Sequence, residues 1–416
     1  MADQPPPAGR NEPTGIDVPA PRECSPASPD GQSRTRDEGS SSPGVTPGPD
    51  APQWRGPVAP PSFGAPDGAD WRRTGFQRQA YAALDLGTNN CRLLIARPSG
   101  DSFVVVDAFS RVVRLGEGLA QTGRLSHEAM ERTLGALKVC ADKLMRRNVH
   151  LARSVATEAC RRAVNGGDFI ERVREETGIA LDIISAREEA RLAVLGCHVL
   201  LEPGIGPALI FDIGGGSTEL VLIESTETVP RILDWQSVPW GVVSLTETCG
   251  DEGASAEDRL HRYRRMRELV TESFASFAQR LGPVRVAAAG QGPMRLLGTS
   301  GTVTTLASLH LDLPHYDRRA VDGLIVPAAS MREISERLST LSIEGRRELP
   351  CIGRERADLV VAGCAILETI LDLWPADRLG VADRGIREGI LRSLIASNGQ
   401  GDKLRAQLRR VRQDAP

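Results

Sequence analysis

Two acidic residues flank a run of three glycines in the segment FDIGGGSTE, residues 211–219. An apolar run from Ala208 to Phe211 leads into Asp212, and a second apolar run follows Glu219. Glycine permits positive φ and lets backbone N–H groups approach an anion closely. A carboxylate beside such a loop is a common way to hold a metal ion or a water molecule next to phosphate. The segment indicates phosphate chemistry, and the alternative is a plain β-hairpin whose glycines only form the turn.

A second acidic turn, DLGTNN at residues 85–90, repeats this pattern earlier in the chain. Alignment of Asp85 with Asp212 also aligns Gly87 with Gly214, and apolar residues follow both turns. Repetition on this scale predicts two related α/β domains that face a shared cleft, each presenting one acidic turn to bound phosphates. A chance match of two short motifs is the alternative.

A third glycine-containing segment differs in kind, because a predicted strand enters it and a predicted helix leaves it. Such a turn aims backbone N–H groups and a helix N-terminus at one point, which favours an anion. The alternative is a connection whose glycines only satisfy φ requirements. The segment consists of Gly298, Thr299, Ser300 and Gly301.

Two adjacent glutamates, Glu188 and Glu189, begin a predicted helix after Ser185. Adjacent helical residues point about 100° apart, so the two carboxylates cannot act as one pair. Ser185 and Glu188 have the capping-box spacing, which predicts that the Glu188 carboxylate holds the helix start. Glu189 is then the freer acid. The alternative is that both are first-turn acids favoured by the helix dipole.

The elements that position these residues are predicted from apolar periodicity and turn residues. Strands flank both acidic turns, Ser126 caps an amphipathic helix, and another helix ends at Gly178. Residues 378–382 are predicted as the last strand and residues 386–395 as the last helix. The predicted organisation is a proline-rich disordered tail (1–77), two domains (78–205 and 206–398) and a basic tail (399–416).

Composition excludes several classes of protein. The 416 residues carry a net charge of −3, so no basic field indicates nucleic-acid binding. The eight cysteines and six histidines are dispersed, which argues against zinc sites and disulfides and favours reduced thiols in the cytoplasm. We expect no membrane association, because no apolar run approaches the ~20 residues of a membrane span. Residues 359–367 are the most apolar run and are predicted as a buried helix.

Six motifs occur in the order found in one known family: DLGTNN, ATEACR (156–161), ISAREEARL (184–192), FDIGGGSTE, LGTSGT (297–302) and DRGIREG (383–389). From about Tyr81 to Leu394, the chain resembles the exopolyphosphatase/guanosine pentaphosphatase family, in its short two-domain form. That family lies within the sugar-kinase/actin superfamily. The resemblance implies a fold of two duplicated ribonuclease-H-like α/β domains (actin-like ATPase domains) that face an interdomain cleft. It also implies hydrolysis of a terminal phosphoanhydride in polyphosphate or guanosine pentaphosphate, the latter a signal of the stringent response.

The resemblance also implies roles for individual residues. Glu189 matches the family's catalytic base, and Asp212 and Glu219 match positions that bind a metal or orient the attacking water. Asp85 shares the metal, Mg²⁺ or another divalent cation, and Arg161 clamps a substrate phosphate. Further phosphate donors are expected in both acidic turns, namely Thr88, Asn89, Gly214, Gly215, Gly216, Ser217 and Thr218. Residues of the last motif, Asp383, Arg387 and Glu388, are expected to serve domain packing.

Two other functions fit the same fold. One is an ATP-dependent sugar-type or acetate-type kinase, although we find no motif for an acceptor pocket. The other is a sensor that binds polyphosphate or nucleotide without catalysis, which a complete set of Glu189, Asp212 and Glu219 disfavours. The choice between polyphosphate and guanosine pentaphosphate is open at this point. Absence of the family's C-terminal helical domain favours shorter polymers, and family habit suggests a homodimer.

Overall fold

The structure is a computed structural model that describes residues 79–398, except 101, 205, 225–229 and 289–293 and the side chains of 283–288. Both predicted tails lie outside the described residues. Within the described part, no helix combines the length and apolar character needed to cross a membrane.

The first acidic turn joins two strands of a five-stranded sheet in the described residues, with the order β3-β2-β1-β4-β5. Apolar side chains fill β1 on both faces, and every residue of the strand is buried except Asp85, which is partly buried. The strand β2 pairs antiparallel with both β1 and β3, whereas β4 lies parallel to β1 and to β5. The strands are β1 (Ala80–Leu86), β2 (Asn90–Ser99), β3 (Ser102–Val112), β4 (Val149–Ala156) and β5 (Leu181–Ile183).

Two helices of the first half begin or end at the residues that the sequence predicts. The side chain of Ser126 accepts a hydrogen bond from the Ala129 amide and starts α2, as predicted. Gly178 ends α4 in the left-handed conformation, also as predicted. The helices are α1 (Leu119–Thr122), α2 (His127–Arg146), α3 (Glu158–Arg162), α4 (Gly166–Thr177) and α5 (Ala186–Cys197), followed by a 3₁₀ turn (His198–Leu200).

The second half repeats this strand arrangement in a sheet of the order β8-β7-β6-β9-β11-β10. Three antiparallel strands again precede a strand parallel to the first of them, so the predicted duplication of the α/β unit is confirmed. The strand β8 and the short β10 were not predicted from the sequence. The strands are β6 (Pro207–Ile213), β7 (Thr218–Glu224), β8 (Arg231–Val238), β9 (Arg295–Thr299), β10 (Ile325–Pro327) and β11 (Arg378–Ala382).

Three short helices of the described second half were not predicted from the sequence, namely α6, α9 and α11. Helix α6 follows residues 239–241. The apolar run at 359–367 forms the buried start of α12, as predicted. The last helix spans residues 386–398. The others are α6 (Val242–Thr248), α7 (Ala256–Ala288), α8 (Gly301–His310), α9 (Arg318–Val321), α10 (Ala328–Thr340), α11 (Ile343–Arg347) and α12 (Val360–Leu373). We number the last helix α13.

Helix α5 lies between the two sheets. Leu192 and Ala193 pack with β1, β2 and α13, whereas Val194 and Cys197 pack with β6 and β7. Helix α13 follows the second sheet in sequence but contributes Ile390 to the core on the first sheet. The predicted domain boundary between residues 205 and 206 stays a prediction. The core on the first sheet also contains residues that follow this boundary in sequence, such as Ile390.

Candidate active site

A cavity of about 140 Å³ lies where the turns after β1 and β6 meet. Both acidic turns and the N-terminus of α8 contribute to its wall, so the two halves and the third glycine segment converge on one space. The predicted site residues in the wall are Asp85, Thr88, Asn89, Glu189, Asp212, Gly214, Gly215, Gly216, Ser217, Glu219, Ser300 and Gly301.

The two acidic turns touch each other across the cavity, and this contact explains two of the three glycines. A Cβ on Gly215 would lie 3.0 Å from Thr88 Cβ, and a Cβ on Gly216 would lie 2.7 Å from Thr88 Oγ1. None of the three loop glycines has positive φ. The prediction that glycine serves here to permit positive φ is therefore wrong, because close approach of the opposite turn is what requires it.

Helix α6 fixes the direction of the glycine-loop peptides. Its amides at Val242 and Val243 donate to the carbonyls of Gly214 and Gly215 at 2.9 and 2.8 Å. The Gly214 amide donates to the Ser217 carbonyl within the turn. In the described part of the chain, the Gly215 and Gly216 amides have no such partner, so they are the loop donors available to an anion.

Burial in the cavity wall makes several carboxylates reluctant to ionise. Desolvation, followed by the neighbouring charges of Glu219 and Asp85, raises the pKa of Asp212 to about 8. Desolvation is also the main cause that raises the pKa values of Asp85, Glu189 and Glu219 above their ordinary range. Such clustered acids are typical of sites that bind cations or transfer protons.

Two serine hydroxyls hold Glu219. Ser217 Oγ and Ser237 Oγ both donate to Glu219 Oε1, at 2.7 and 2.8 Å. Ser237 is opposite Glu219 in the β7–β8 register. The second carboxylate oxygen of Glu219 stays outside these two bonds. Ser217, predicted as a phosphate donor, uses its hydroxyl on Glu219 in this structure.

The two adjacent glutamates on α5 face different environments. Ser185 Oγ accepts from the Glu188 amide, but the Glu188 carboxylate binds Arg191 and Arg153 and does not return to the Ser185 amide. The predicted capping box is thus only half formed, because Arg191, one turn further along α5, and Arg153 of β4 offer charge-assisted bonds. Glu189 lines the cavity, and the residue as a whole, backbone included, is 6% exposed.

Arg161 binds protein groups and does not line the cavity. Its Nη1 donates to Glu189 Oε2 at 3.0 Å and to the Ile184 carbonyl at 2.7 Å. Its Nε and Nη2 donate to Glu158 Oε2 at 3.1 and 2.6 Å. Most of the donors expected to clamp a phosphate are therefore engaged. Glu158 itself lines the cavity, and sequence reasoning had passed over it.

Sequence reasoning also missed two arginines in the cavity wall, Arg92 and Arg356. Neither guanidinium has a hydrogen bond or ion pair to another described residue, so both are available to anionic groups. Arg92 pairs with Asp85 in the β1–β2 register, as Glu219 pairs with Asp212 in the β6–β7 register. The repeat alignment thus placed Arg92 opposite the acidic position and could have identified it. No comparable signal marked Arg356.

Part of the third glycine segment lies outside the cavity wall. The structure keeps Gly298 and Thr299 within β9, where the sequence had predicted a break. A Cβ on Gly298 would lie 2.6 Å from the Phe211 ring, so this glycine serves packing. Thr299 Oγ1 donates to the Arg384 carbonyl. Thr218 of the second acidic turn was also expected to bind phosphate, but its Oγ1 donates to the Trp240 carbonyl. Chain direction changes only after Thr299.

Ser300 is the strained residue of that segment. Its φ of 140° and ψ of 174° fall in a region that glycine occupies almost alone. Ser300 Oγ accepts from the Thr302 amide and starts α8. The conformation places Ser300, Gly301 and Thr302 in the cavity wall.

The donor set of the cavity suits a hard divalent cation. Asp85, Asp212 and Glu219 offer only carboxylate oxygens, and Asp85 Oδ1 is buried without a hydrogen-bond partner. The described residues contain no ready-made group of three or more His, Cys, Asp or Glu ligands. Mg²⁺ commonly takes one or two carboxylates and completes its shell with substrate phosphates and water, so the residues fit such an ion.

Known proteins resemble the chain in both sequence and structure. Residues 94–398 match the model of the Ppx/GppA phosphatase family. The chain is 33% identical to Exopolyphosphatase 2 of Mycobacterium tuberculosis over 75% of its length and 98% of that protein. It is 28% identical to a putative exopolyphosphatase of Haemophilus influenzae, over 75% of this chain and 90% of that protein.

Solved structures of the same family resemble the chain as well, and they confirm the predicted fold of paired actin-like ATPase-type domains. The Aquifex aeolicus member of the Ppx/GppA family has a TM-score of 0.61 at 28% identity, covering 77% of this chain and 98% of that one. An exopolyphosphatase from Cytophaga hutchinsonii has a TM-score of 0.65 at 25% identity, with coverage of 77% and 98%. The chain belongs to the Ppx/GppA phosphatase family.

Proposed function

We propose that this protein is an exopolyphosphatase, which hydrolyses the terminal phosphoanhydride of inorganic polyphosphate and releases phosphate. The observation that carries the proposal is the cavity, where Glu189 shares a wall with Arg92, Arg356 and the unpaired amides of Gly215 and Gly216. Two relatives match three quarters of this chain, one named Exopolyphosphatase 2 and the other a putative exopolyphosphatase, and these names support polyphosphate as the substrate.

In the proposed reaction, Glu189 accepts a proton from a water molecule whose oxygen attacks the terminal phosphorus. The bridging P–O bond breaks, and its oxygen leaves with the shortened chain. Desolvation raises the pKa of Glu189, which makes its carboxylate a stronger base than a solvated glutamate. The arginines and glycine amides donate to phosphate oxygens whose charge develops as the bond breaks.

Asp85, Asp212 and Glu219 are the residues that would hold a divalent cation, which we propose is Mg²⁺. Bound there, the cation would neutralise charge on the phosphate oxygens and on these acids. Ser217 and Ser237 keep one Glu219 oxygen fixed, so its carboxylate has a defined orientation. Isothermal titration of the substrate-free protein with Mg²⁺ should show binding that Asp212→Asn weakens.

The test is phosphate release without any added acceptor. We expect release from short-chain and long-chain polyphosphate, with guanosine pentaphosphate assayed in parallel as the second predicted substrate. Phosphate transfer only when a sugar or carboxylate acceptor is added would favour the kinase. Tight polyphosphate binding without release at any Mg²⁺ concentration would favour the sensor. Cytoplasmic location and a homodimer stay predictions.

Glu189→Gln should lower kcat on the order of 10²-fold or more, because the variant keeps the side-chain shape but cannot accept the proton. Glu188→Gln is the matched control, because the Glu188 carboxylate binds two arginines that lie outside the cavity wall. This substitution should leave kcat within about twofold of the wild-type value. Near wild-type turnover by folded Glu189→Gln would refute the assignment of the base.

A further inference from the structure

Glu158 and Glu189 bind the same arginine, Arg161, through different nitrogens of its guanidinium. Arg161 follows Glu158 by three residues on α3, so both lie on one face of that short helix. The side chains of Glu158, Arg161 and Glu189 are 16%, 22% and 9% exposed. This burial limits competition by water and makes the contacts stronger than those of surface ion pairs.

The guanidinium of Arg161 is committed through four hydrogen bonds. A guanidinium has five N–H donors, and Glu158 takes two of them, Glu189 one and the Ile184 carbonyl one. Because Nε and Nη2 both reach Glu158 Oε2, Glu158 fixes the plane of the group. The plane in turn fixes where Nη1 meets Glu189 Oε2, and the other Glu189 oxygen stays outside these four bonds.

We propose that Glu158 is a positioning residue, which orients the base Glu189 through Arg161. The inference rests on the proposed function, since it assigns Glu158 to the same reaction. Without Glu158, the Arg161 side chain regains rotational freedom, and Glu189 loses its fixed partner geometry. Small misplacements of a catalytic group lower turnover more than they lower substrate binding.

The experiment is a double-mutant cycle on kcat and KM for polyphosphate. Glu158→Ala should lower kcat about tenfold or more while KM changes less than about threefold. Glu158→Gln retains an acceptor oxygen and should recover part of the loss. In an Arg161→Lys background, which has no planar fork, Glu158→Ala should lower kcat less than about twofold further.

A matched control comes from Glu171 and Arg174, which form an exposed ion pair at the same spacing on α4. Glu171→Ala should leave kcat and KM unchanged. Thermal unfolding of each variant checks the fold. An NMR readout independent of activity is the Arg161 Nε–H signal, which we expect to be protected from exchange in the wild type and unprotected in Glu158→Ala.

Three results would overturn the inference. One is the same kcat loss for Glu158→Ala in both backgrounds, and another is a loss confined to KM. The third is an Nε–H signal that Glu158→Ala leaves unchanged. A wild-type protein that releases no phosphate overturns the proposed function together with this inference, whereas an active wild type without the coupling overturns only the inference.

Discussion

A single residue of the site, Asp212, lowers the stability of the folded protein as the pH rises. Its carboxyl group is buried beside Glu219 and Asp85, and its pKa is raised to about 8. A folded state that holds this proton more tightly than the unfolded chain is favoured at low pH and loses that advantage as the pH rises. The site therefore weakens the fold under the conditions in which its carboxylates ionise.

Asp212→Asn should make the protein more stable in cation-free buffer at pH 8. The free energy of unfolding of the wild type should fall as the pH rises between about 4 and 8, since the folded form binds more protons than the unfolded form in that window. The variant should show a shallower fall over the same window. Urea unfolding at several pH values in the presence of a chelator measures both slopes, and equal slopes would contradict the expectation.

The sequence could predict the acids of the site better than its cations. Asp212 and Glu219 flank a glycine loop that indicates phosphate chemistry, Glu189 was assigned through the resemblance to the family, and all three line one cavity. Arg161 also stands in a motif, yet its partners depend on how α3 packs against α5. Arg356 lies outside the six motifs, in a turn that its amide closes on the Gly353 carbonyl, and only the fold brings its guanidinium to Gly301 at the N-terminus of α8.

At the scale of an element, α6 decides which way the glycine loop presents its amides. Its N-terminal amides occupy the Gly214 and Gly215 carbonyls, and Gly241 allows the close approach. A Cβ on Gly241 would lie 2.4 Å from the Gly215 carbonyl carbon and oxygen. Short α6 depends on this tertiary contact and has no periodic signal of its own in the sequence.

Gly241→Ala should displace the loop and raise KM for polyphosphate, because a backbone atom cannot yield as a flexible side chain can. Overpacking of this kind costs about 1–3 kcal/mol, so the melting temperature should fall as well. Steady-state kinetics and thermal unfolding test both effects. Gly135→Ala is the control, since Gly135 is exposed within α2 with nothing within 4 Å of an added Cβ. That change should be neutral or stabilising by about 0.5–1 kcal/mol, and an unchanged KM in Gly241→Ala would contradict the expectation.

At the scale of the molecule, α5 and α13 join the two halves at two glycines. A Cβ on Gly196 of α5 would lie 1.9 Å from the Gly385 carbonyl oxygen. A Cβ on Gly389 of α13 would lie 2.0 Å from the Leu192 carbonyl oxygen. The repeated acidic turns predicted the duplication, whereas this return of α13 to the first sheet depends on contacts between residues far apart in sequence. Local patterns do not encode such contacts.

Gly389→Ala should separate α13 from α5 and lower the melting temperature, with a cost of about 1–3 kcal/mol or more. Because Glu189 stands on α5, kcat should fall in the same variant at temperatures where it is still folded. Gly167→Ala, at an exposed position of α4 with open space around its Cβ, is the control and should change neither quantity appreciably. A stable Gly389→Ala protein with full turnover would show that the helix contact does not hold the base.

The register positions of Arg92 and Glu219 have a consequence for how a polymer can enter. The two halves share one strand arrangement, yet at equivalent positions the first carries a cation and the second a carboxylate. An inorganic polyphosphate chain is the same read from either end, so the substrate itself supplies no polarity. If polyphosphate is the substrate, as we propose, the charge difference between the two hairpins should supply it: the Arg92 side should attract phosphates, and the carboxylate side should repel them unless a cation intervenes. We therefore expect two hairpins with one backbone arrangement to differ in how they receive the chain, because of the charge at this one position.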